Sequence, residues 1–289
     1  MKRSSMVWRA GAHALECGPR TLVMGILNVT PDSFSDGGRF FDHEVAVAAG
    51  IDMVSDGADI LDIGGESTRP GSTAVTDGEQ LERVLPVIKR LSAEVDVPLS
   101  IDTRSARVAA PAVEAGAAIV NDVTAGSDPE MFETVRESGA GMVLMHMRGE
   151  PNTMQQLTDY DDVVTEVTES LRGRLLAATD AGIEAERLAV DPGLGFAKTT
   201  PQSLLLMRDV ASFSDLGRPL LVGPSRKSFI GDVLGTDVTE RAEGTAGAVA
   251  WMVGQGAHIV RVHDVKTMVR VVRVVDAILD SGGGHGSAT

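Results

Sequence analysis

Eight short apolar segments rich in β-branched residues recur along the chain, and each is followed by a stretch with helical patterning. The strands are expected over Leu22 to Val29, Ile60 to Gly64, Leu99 to Thr103, Ala118 to Val123, Gly141 to Met147, Leu188 to Asp191, Pro219 to Val222 and Ile259 to Val262. Their near-continuous apolar character suits strands buried on both faces, as in a parallel sheet covered by helices. The helices are expected over Glu44 to Asp56, Gly78 to Ala93, Arg107 to Glu114, Pro129 to Glu137, Asp162 to Ala181, Gln202 to Val210, Glu240 to Val253 and Lys266 to Leu279. Such alternation implies parallel strands joined by crossover helices.

Eight regular units predict an α/β fold of the (β/α)8 TIM barrel type in a single domain. An open doubly wound sheet is the competing architecture, but the first strand is not followed by a tight G-x-G-x-x-G turn. Three helices carry start signals: Ser127-Asp128-Pro129-Glu130 and Thr200-Pro201 place a capping residue before proline, and Asp161 is placed to cap the fifth helix. No low-complexity linker divides the chain. Residues 1–20 are expected to form an N-terminal extension or hairpin and residues 21–280 the barrel. Residues 281–289, rich in Gly and Ser, are expected to form a flexible tail.

Composition narrows the class of function. Hydrophobic residues make up 43% and charged residues 23%, which suits a globular protein with a sizeable core. No apolar run approaches the roughly 18 to 20 residues needed to cross a bilayer, and the first residues lack the long apolar stretch of a signal peptide, so a cytoplasmic protein without a membrane partner is expected. The single cysteine, Cys17, agrees with a reducing compartment. With 41 acidic against 26 basic residues and a net charge of −15, the chain is a poor general binder of phosphate backbones, so no nucleic-acid partner is expected.

Barrel enzymes build their sites on the loops that follow the strands, which makes polar residues at strand ends the candidates. One set, Asp102, Asn121 and Asp191 with Lys227, offers acceptors, an amide and a cation able to read the edge of a flat heterocycle. A second set, Asn28, Arg69, Ser225, Arg261 and His263, offers donors for a phosphate or pyrophosphate, because arginine presents a planar fork to anions. Taken singly, these acids also suit helix capping and these bases surface ion pairs. His263 shares strand parity with Arg261, whereas His146 is out of phase with Met145 and Met147, which favours His263 as the functional histidine. There is no H-x-x-x-H pair and no cysteine cluster, so zinc is not expected. Asn28, with Asp32 or Asp36 nearby, is a candidate to help hold Mg²⁺ beside a pyrophosphate.

The ordered strand-end motifs, Asn28 to Gly38, Gly64 to Gly71, Asp191 to Lys198 and Ser225 to Lys227, resemble those of the dihydropteroate synthase family from Gly25 to Val265. The resemblance implies that Asp102, Asn121, Asp191 and Lys227 bind a pterin, with Met145 and Phe196 lining its pocket. It implies that Asn28, Arg69, Arg261 and His263 hold pyrophosphate, and that Thr68, Pro70 and Ser228 border a p-aminobenzoate site. Thr30 to Arg39 and Ser67 to Ser72 look like the family's two mobile loops. The substrates implied are dihydropterin pyrophosphate and p-aminobenzoate, with Mg²⁺ as cofactor and a homodimer as the assembly. Pro224 departs mildly from the small residue usual before Ser-Arg-Lys. Two other readings share the pocket: a methyltetrahydrofolate:corrinoid methyltransferase, which needs no pyrophosphate clamp, and a noncatalytic pterin-binding paralogue.

Overall fold

The structure, a computed structural model, describes residues 3–30, 39–66 and 75–281. It opens with an antiparallel hairpin, β1 (Met6–Ala10) and β2 (His13–Cys17), in register from Met6 opposite Cys17 to Ala10 opposite His13. Eight parallel strands follow: β3 (Leu22–Asn28), β4 (Ile60–Gly64), β5 (Leu99–Asp102), β6 (Ala117–Asp122), β7 (Gly141–Met145), β8 (Leu188–Asp191), β9 (Leu221–Val222) and β10 (Ile259–Val262). They pair in the order β8-β7-β6-β5-β4-β3-β10-β9, and a bridge between Val190 and Leu220 joins the two ends. The fold is the expected (β/α)8 TIM barrel.

Among the described residues the helices are α1 (Arg39–Ser55), α2 (Asp77–Glu94), α3 (Ala106–Glu114), α4 (Met131–Ser138), α5 (Val163–Asp180), α6 (Thr200–Arg208), α7 (Ser228–Leu234), α8 (Ala242–Gly254) and α9 (Val265–Ser281). The short α7 is an addition that the sequence pattern did not announce; it follows the Ser225-Arg226-Lys227 turn directly.

The expected caps shift by a residue or two. Asp162, not Asp161, caps α5, accepting from the backbone N–H groups of Val164 and Thr165. Thr199, not Thr200, caps α6 in a reciprocal box with Gln202, because Pro201 is best placed inside the first turn. Helix α4 starts at Met131, two residues beyond Pro129, since Asp128 instead uses its carboxylate on the N–H groups of Ala106 and Glu130.

Two apolar layers hold the barrel together. The outer one lies between strands and helices and includes Leu61, Ile63, Val84, Ile88, Leu144 and Val190. The inner one fills the barrel with Met24, Ile60, Ile119, Val143, Ala189, Leu221 and Ile259 and is closed from below by the hairpin through Trp8, Ala10 and Cys17. Trp8 is fully buried and donates its indole N–H to the Arg187 carbonyl at 2.9 Å. Gly141 permits this closure: a Cβ there would stand 2.9 Å from the Ala10 Cβ. Burial of side chains of this size contributes roughly 1.5 to 3 kcal/mol each.

Because side chains alternate along a strand, residues two positions beyond this inner layer also face the barrel interior. Four of these seven are polar: Asp62 follows Ile60, Asn121 follows Ile119, Asp191 follows Ala189 and Arg261 follows Ile259, while Ile26, Met145 and Gly223 follow Met24, Val143 and Leu221. The apolar floor therefore ends where a charged chamber begins, at the carboxyl ends of the strands.

Candidate active site

Asp62, Asp102, Asn121 and Asp191 are all buried in this chamber. Arg261 joins them. Its Nε donates to Asp62 Oδ2 at 2.5 Å and one terminal nitrogen donates to Asp102 Oδ2 at 2.6 Å. Asn121 Nδ2 donates to the same Asp62 oxygen at 3.0 Å. The other Asp62 oxygen, Oδ1, is buried with no hydrogen-bond partner, an acceptor left open in the chamber.

Sequence reading missed Asp62 because it lies inside β4 instead of at its end. The signal was present nonetheless: a carboxylate at an inward position of an otherwise apolar strand is costly unless paired. Arg261, expected among the anion donors of the second set, gives two of its nitrogens to two carboxylates.

Burial and the shared guanidinium act in opposite directions on the Asp102 carboxyl. Burial pushes the Asp102 carboxyl up to about 7, against the pull of Arg261 and with help from the Asp62 charge. Burial likewise raises Asp191, opposed by Lys227 and by the Gly193 N–H, which Asp191 Oδ1 accepts at 2.7 Å. Lys227 is lowered to about 7 by burial, with Asp191 resisting and the Arg261 charge adding. Its ammonium donates to the Leu194 carbonyl and stands 4.0 Å from the centroid of the Phe196 ring. Met145, at the end of β7 and level with Asp191 on β8, is buried beside them.

Of the remaining expected anion donors, Asn28, Ser225 and His263 fall within the described residues. Ser225 Oγ and His263 Nδ1 lie 2.9 Å apart, and the backbone N–H of His263 donates to Ser225 Oγ at 3.2 Å. Asn28 ends β3 half-buried, and Ser228 opens α7 exposed to solvent. Arg226, between Ser225 and Lys227, adopts φ +58°, a strained conformation for a side chain of its size. Its backbone is held from both sides, by Thr245 Oγ1 on its N–H and by Arg241 on its carbonyl. Thr68, Arg69, Pro70, Asp32 and Asp36, together with most of the two loops that contain them and the 282–289 tail, lie outside the described residues.

Among the described residues no three His, Cys, Asp or Glu side chains gather to hold a metal. Asn28 offers a single amide oxygen, which fits an ion that keeps most of its waters and takes its remaining oxygens from a bound phosphate group. No helix among the described residues is long and apolar enough to cross a membrane.

Residues 24–263 match the pterin binding enzyme family. The chain is 47% identical over 270 residues to the dihydropteroate synthase of Synechocystis, covering 93% of each protein. The chain belongs to the dihydropteroate synthase family. It is an enzyme, a transferase. Its structure is similar to that of the Xanthomonas albilineans dihydropteroate synthase with 4-aminobenzoic acid, with a TM-score of 0.90 and 44% identity, covering 95% of this chain and 98% of that one. A second structure of the enzyme from that organism, in complex with 7,8-dihydropteroate, matches with a TM-score of 0.86 and 41% identity over 94% of this chain and 98% of that one.

Proposed function

We propose that the charged chamber binds the pterin ring of a dihydropterin pyrophosphate and that the rim above it brings in p-aminobenzoate, giving dihydropteroate and pyrophosphate. The observation that carries this is the buried set Asp62, Asp102, Asn121 and Asp191 with the half-buried Lys227 and Arg261 at the carboxyl ends of the strands. Carboxylates there accept from the amino and ring N–H groups of a pterin, while Lys227 donates to a ring nitrogen or carbonyl. Met145 and the Phe196 ring supply the apolar faces against which a flat heterocycle stacks. Arg261 orients Asp62 and Asp102 through its hydrogen bonds to both, a positioning role within the pterin pocket.

Asn28, Arg69 and His263, with Ser225 behind the histidine, are the donors for the pyrophosphate. Thr68, Pro70 and Ser228 border the p-aminobenzoate. As the methylene carbon loses pyrophosphate, positive charge grows on the pterin and negative charge on the leaving group, so preplaced acids below and donors above favour departure. The arylamine is neutral near pH 7 and already nucleophilic, so its approach needs positioning more than a strong base. Magnesium bound with the pyrophosphate near Asn28 would neutralise part of the leaving group's charge.

The same reading includes a homodimer. Leu204, Leu205, Val233, Trp251, Val274 and Ile278 are exposed on α6, α7, α8 and α9, which neighbour one another on one side of the barrel, and such a patch suits a second copy of the chain. Sedimentation of Trp251→Glu beside the parent protein tests this, with a shift towards monomer expected.

The reaction is tested by incubating purified protein with dihydropterin pyrophosphate, p-aminobenzoate and Mg²⁺. Stoichiometric dihydropteroate and pyrophosphate support the reading. Pterin binding without turnover would instead mark a noncatalytic paralogue.

A further inference from the structure

Behind the loop that follows β8 lies a second buried lysine that the reaction does not use. Lys198 is 3% exposed. Its Nζ donates to the carbonyls of Phe196 at 2.8 Å, Gly193 at 3.0 Å and His146 at 3.4 Å, and stands 3.0 Å from His146 Nδ1. All four neighbouring acceptors are neutral, and burial, with the Lys227 charge adding and Asp191 resisting, lowers the Lys198 amine well below its usual range, so its hydrogen bonds rather than its charge fix the surrounding carbonyls. Burial lowers His146 to about 3, with Lys198 adding, so the imidazole is neutral and its Nδ1 lone pair is free to accept from Nζ.

The segment gathered round this amine is bent three times into the left-handed region, at Gly193 (φ +66°), Gly195 (φ +77°) and Ala197 (φ +50°). Glycine is required at the first of these, since a Cβ there would stand 2.0 Å from the His146 carbonyl oxygen. Alanine at φ +50° is strained and persists only when its surroundings hold it. The other side of the same segment makes the contacts that set the chamber: the Gly193 N–H on Asp191, the Leu194 carbonyl on Lys227 and the Phe196 ring beneath the Lys227 ammonium.

We propose that Lys198 is a positioning residue: its Nζ is the hydrogen-bonding centre around which loop 193–197 is folded, and through that loop it sets Asp191 and Lys227 at the spacing that reads the heterocycle. The inference rests on the assignment of this chamber to the pterin.

Lys198→Ala removes a propylammonium-sized group and leaves the carbonyls behind, so propylammonium from solution can refill the place, with propanol as the neutral control of equal size. In the full-length enzyme, the KM for dihydropterin pyrophosphate and the Kd of 6-hydroxymethylpterin should rise about tenfold, while the KM for p-aminobenzoate moves less than about twofold. Propylammonium should restore pterin affinity in a saturable way and propanol should not. Unchanged pterin affinity, or equal losses for both substrates without recovery by propylammonium, overturns the proposal.

Should Lys198→Ala fail to fold, His146 carries the test. His146→Asn places an amide oxygen near the position of Nδ1, whereas His146→Leu offers Nζ nothing, so the Asn variant should bind pterin about tenfold more tightly than the Leu variant. Equal affinities contradict the clamp. A parent enzyme that does not bind pterin at all would refute the chamber assignment itself, whereas a pterin-binding parent whose variants keep their affinity would refute only the role of Lys198.

Discussion

Arg261 Nε and Asp62 Oδ2 meet at 2.5 Å inside the barrel, joining β10 to β4 across the intervening β3. Asp62 is fully buried, and Arg261 also carries Asp102, so one guanidinium compensates two carboxylates. Removing either end of such a unit strands a charge in the interior, and this makes the unit testable by stability as well as by binding.

Arg261→Ala is expected to lower stability by about 3 to 5 kcal/mol, because Asp62 and Asp102 then stay buried without their cation. Adding Asp62→Asn should recover part of the loss by removing one of the stranded charges. Thermal denaturation of the single and double variants checks this. Two independent, additive losses would mean that the pair does not act as a unit.

Pterin affinity should pass through a maximum near pH 7. Asp102 is raised to about 7 in the free enzyme and must be ionised to accept from the ring, so below that pH binding expels a proton and affinity rises as pH rises. Lys227 is lowered to about 7 and must be charged to donate, so above that pH binding takes up a proton and affinity falls. Calorimetry in buffers of different ionisation enthalpy reads the proton directly: release at pH 6, uptake at pH 8. Asp102→Asn should abolish the release and leave the uptake.

The barrel was legible because its strands are apolar on both faces, so Ile60 to Gly64 or Leu188 to Asp191 stand out from the helices between them. Strand ends were equally legible, since polar residues such as Asp102 and Asp191 interrupt those runs. What escaped was whatever depends on tertiary pairing. Asp62 looks like a blemish within β4 until Arg261, 199 positions away, is brought against it. That Arg261, expected as an anion donor, also pairs with Asp62 and Asp102 is not written in its local sequence. Lys198 stood in a quoted motif, yet its function as the hub of a carbonyl-lined loop depends on φ values and on His146 from a different strand end. Helix α7 was missed because its seven residues are too few to show a period.

Removal of magnesium by exhaustive chelation is expected to abolish turnover while leaving the circular dichroism spectrum unchanged, since the barrel is held by its two apolar layers and not by a metal. Pterin lacking the pyrophosphate should bind equally well with and without the metal. Turnover that survives chelation contradicts the role given to the Asn28 region.

The central claim, that the charged chamber reads the pterin ring, is tested most directly at Asp191. Asp191→Asn keeps the side-chain shape but turns one acceptor into a donor, so a ring N–H would face another donor at a cost of roughly 1 to 3 kcal/mol. Calorimetric titration with 6-hydroxymethylpterin and, separately, with pyrophosphate makes the comparison within one variant. The account predicts at least about a tenfold loss of pterin affinity, with pyrophosphate binding as in the parent protein and little change in Tm. Normal pterin binding by a folded Asp191→Asn enzyme would contradict it.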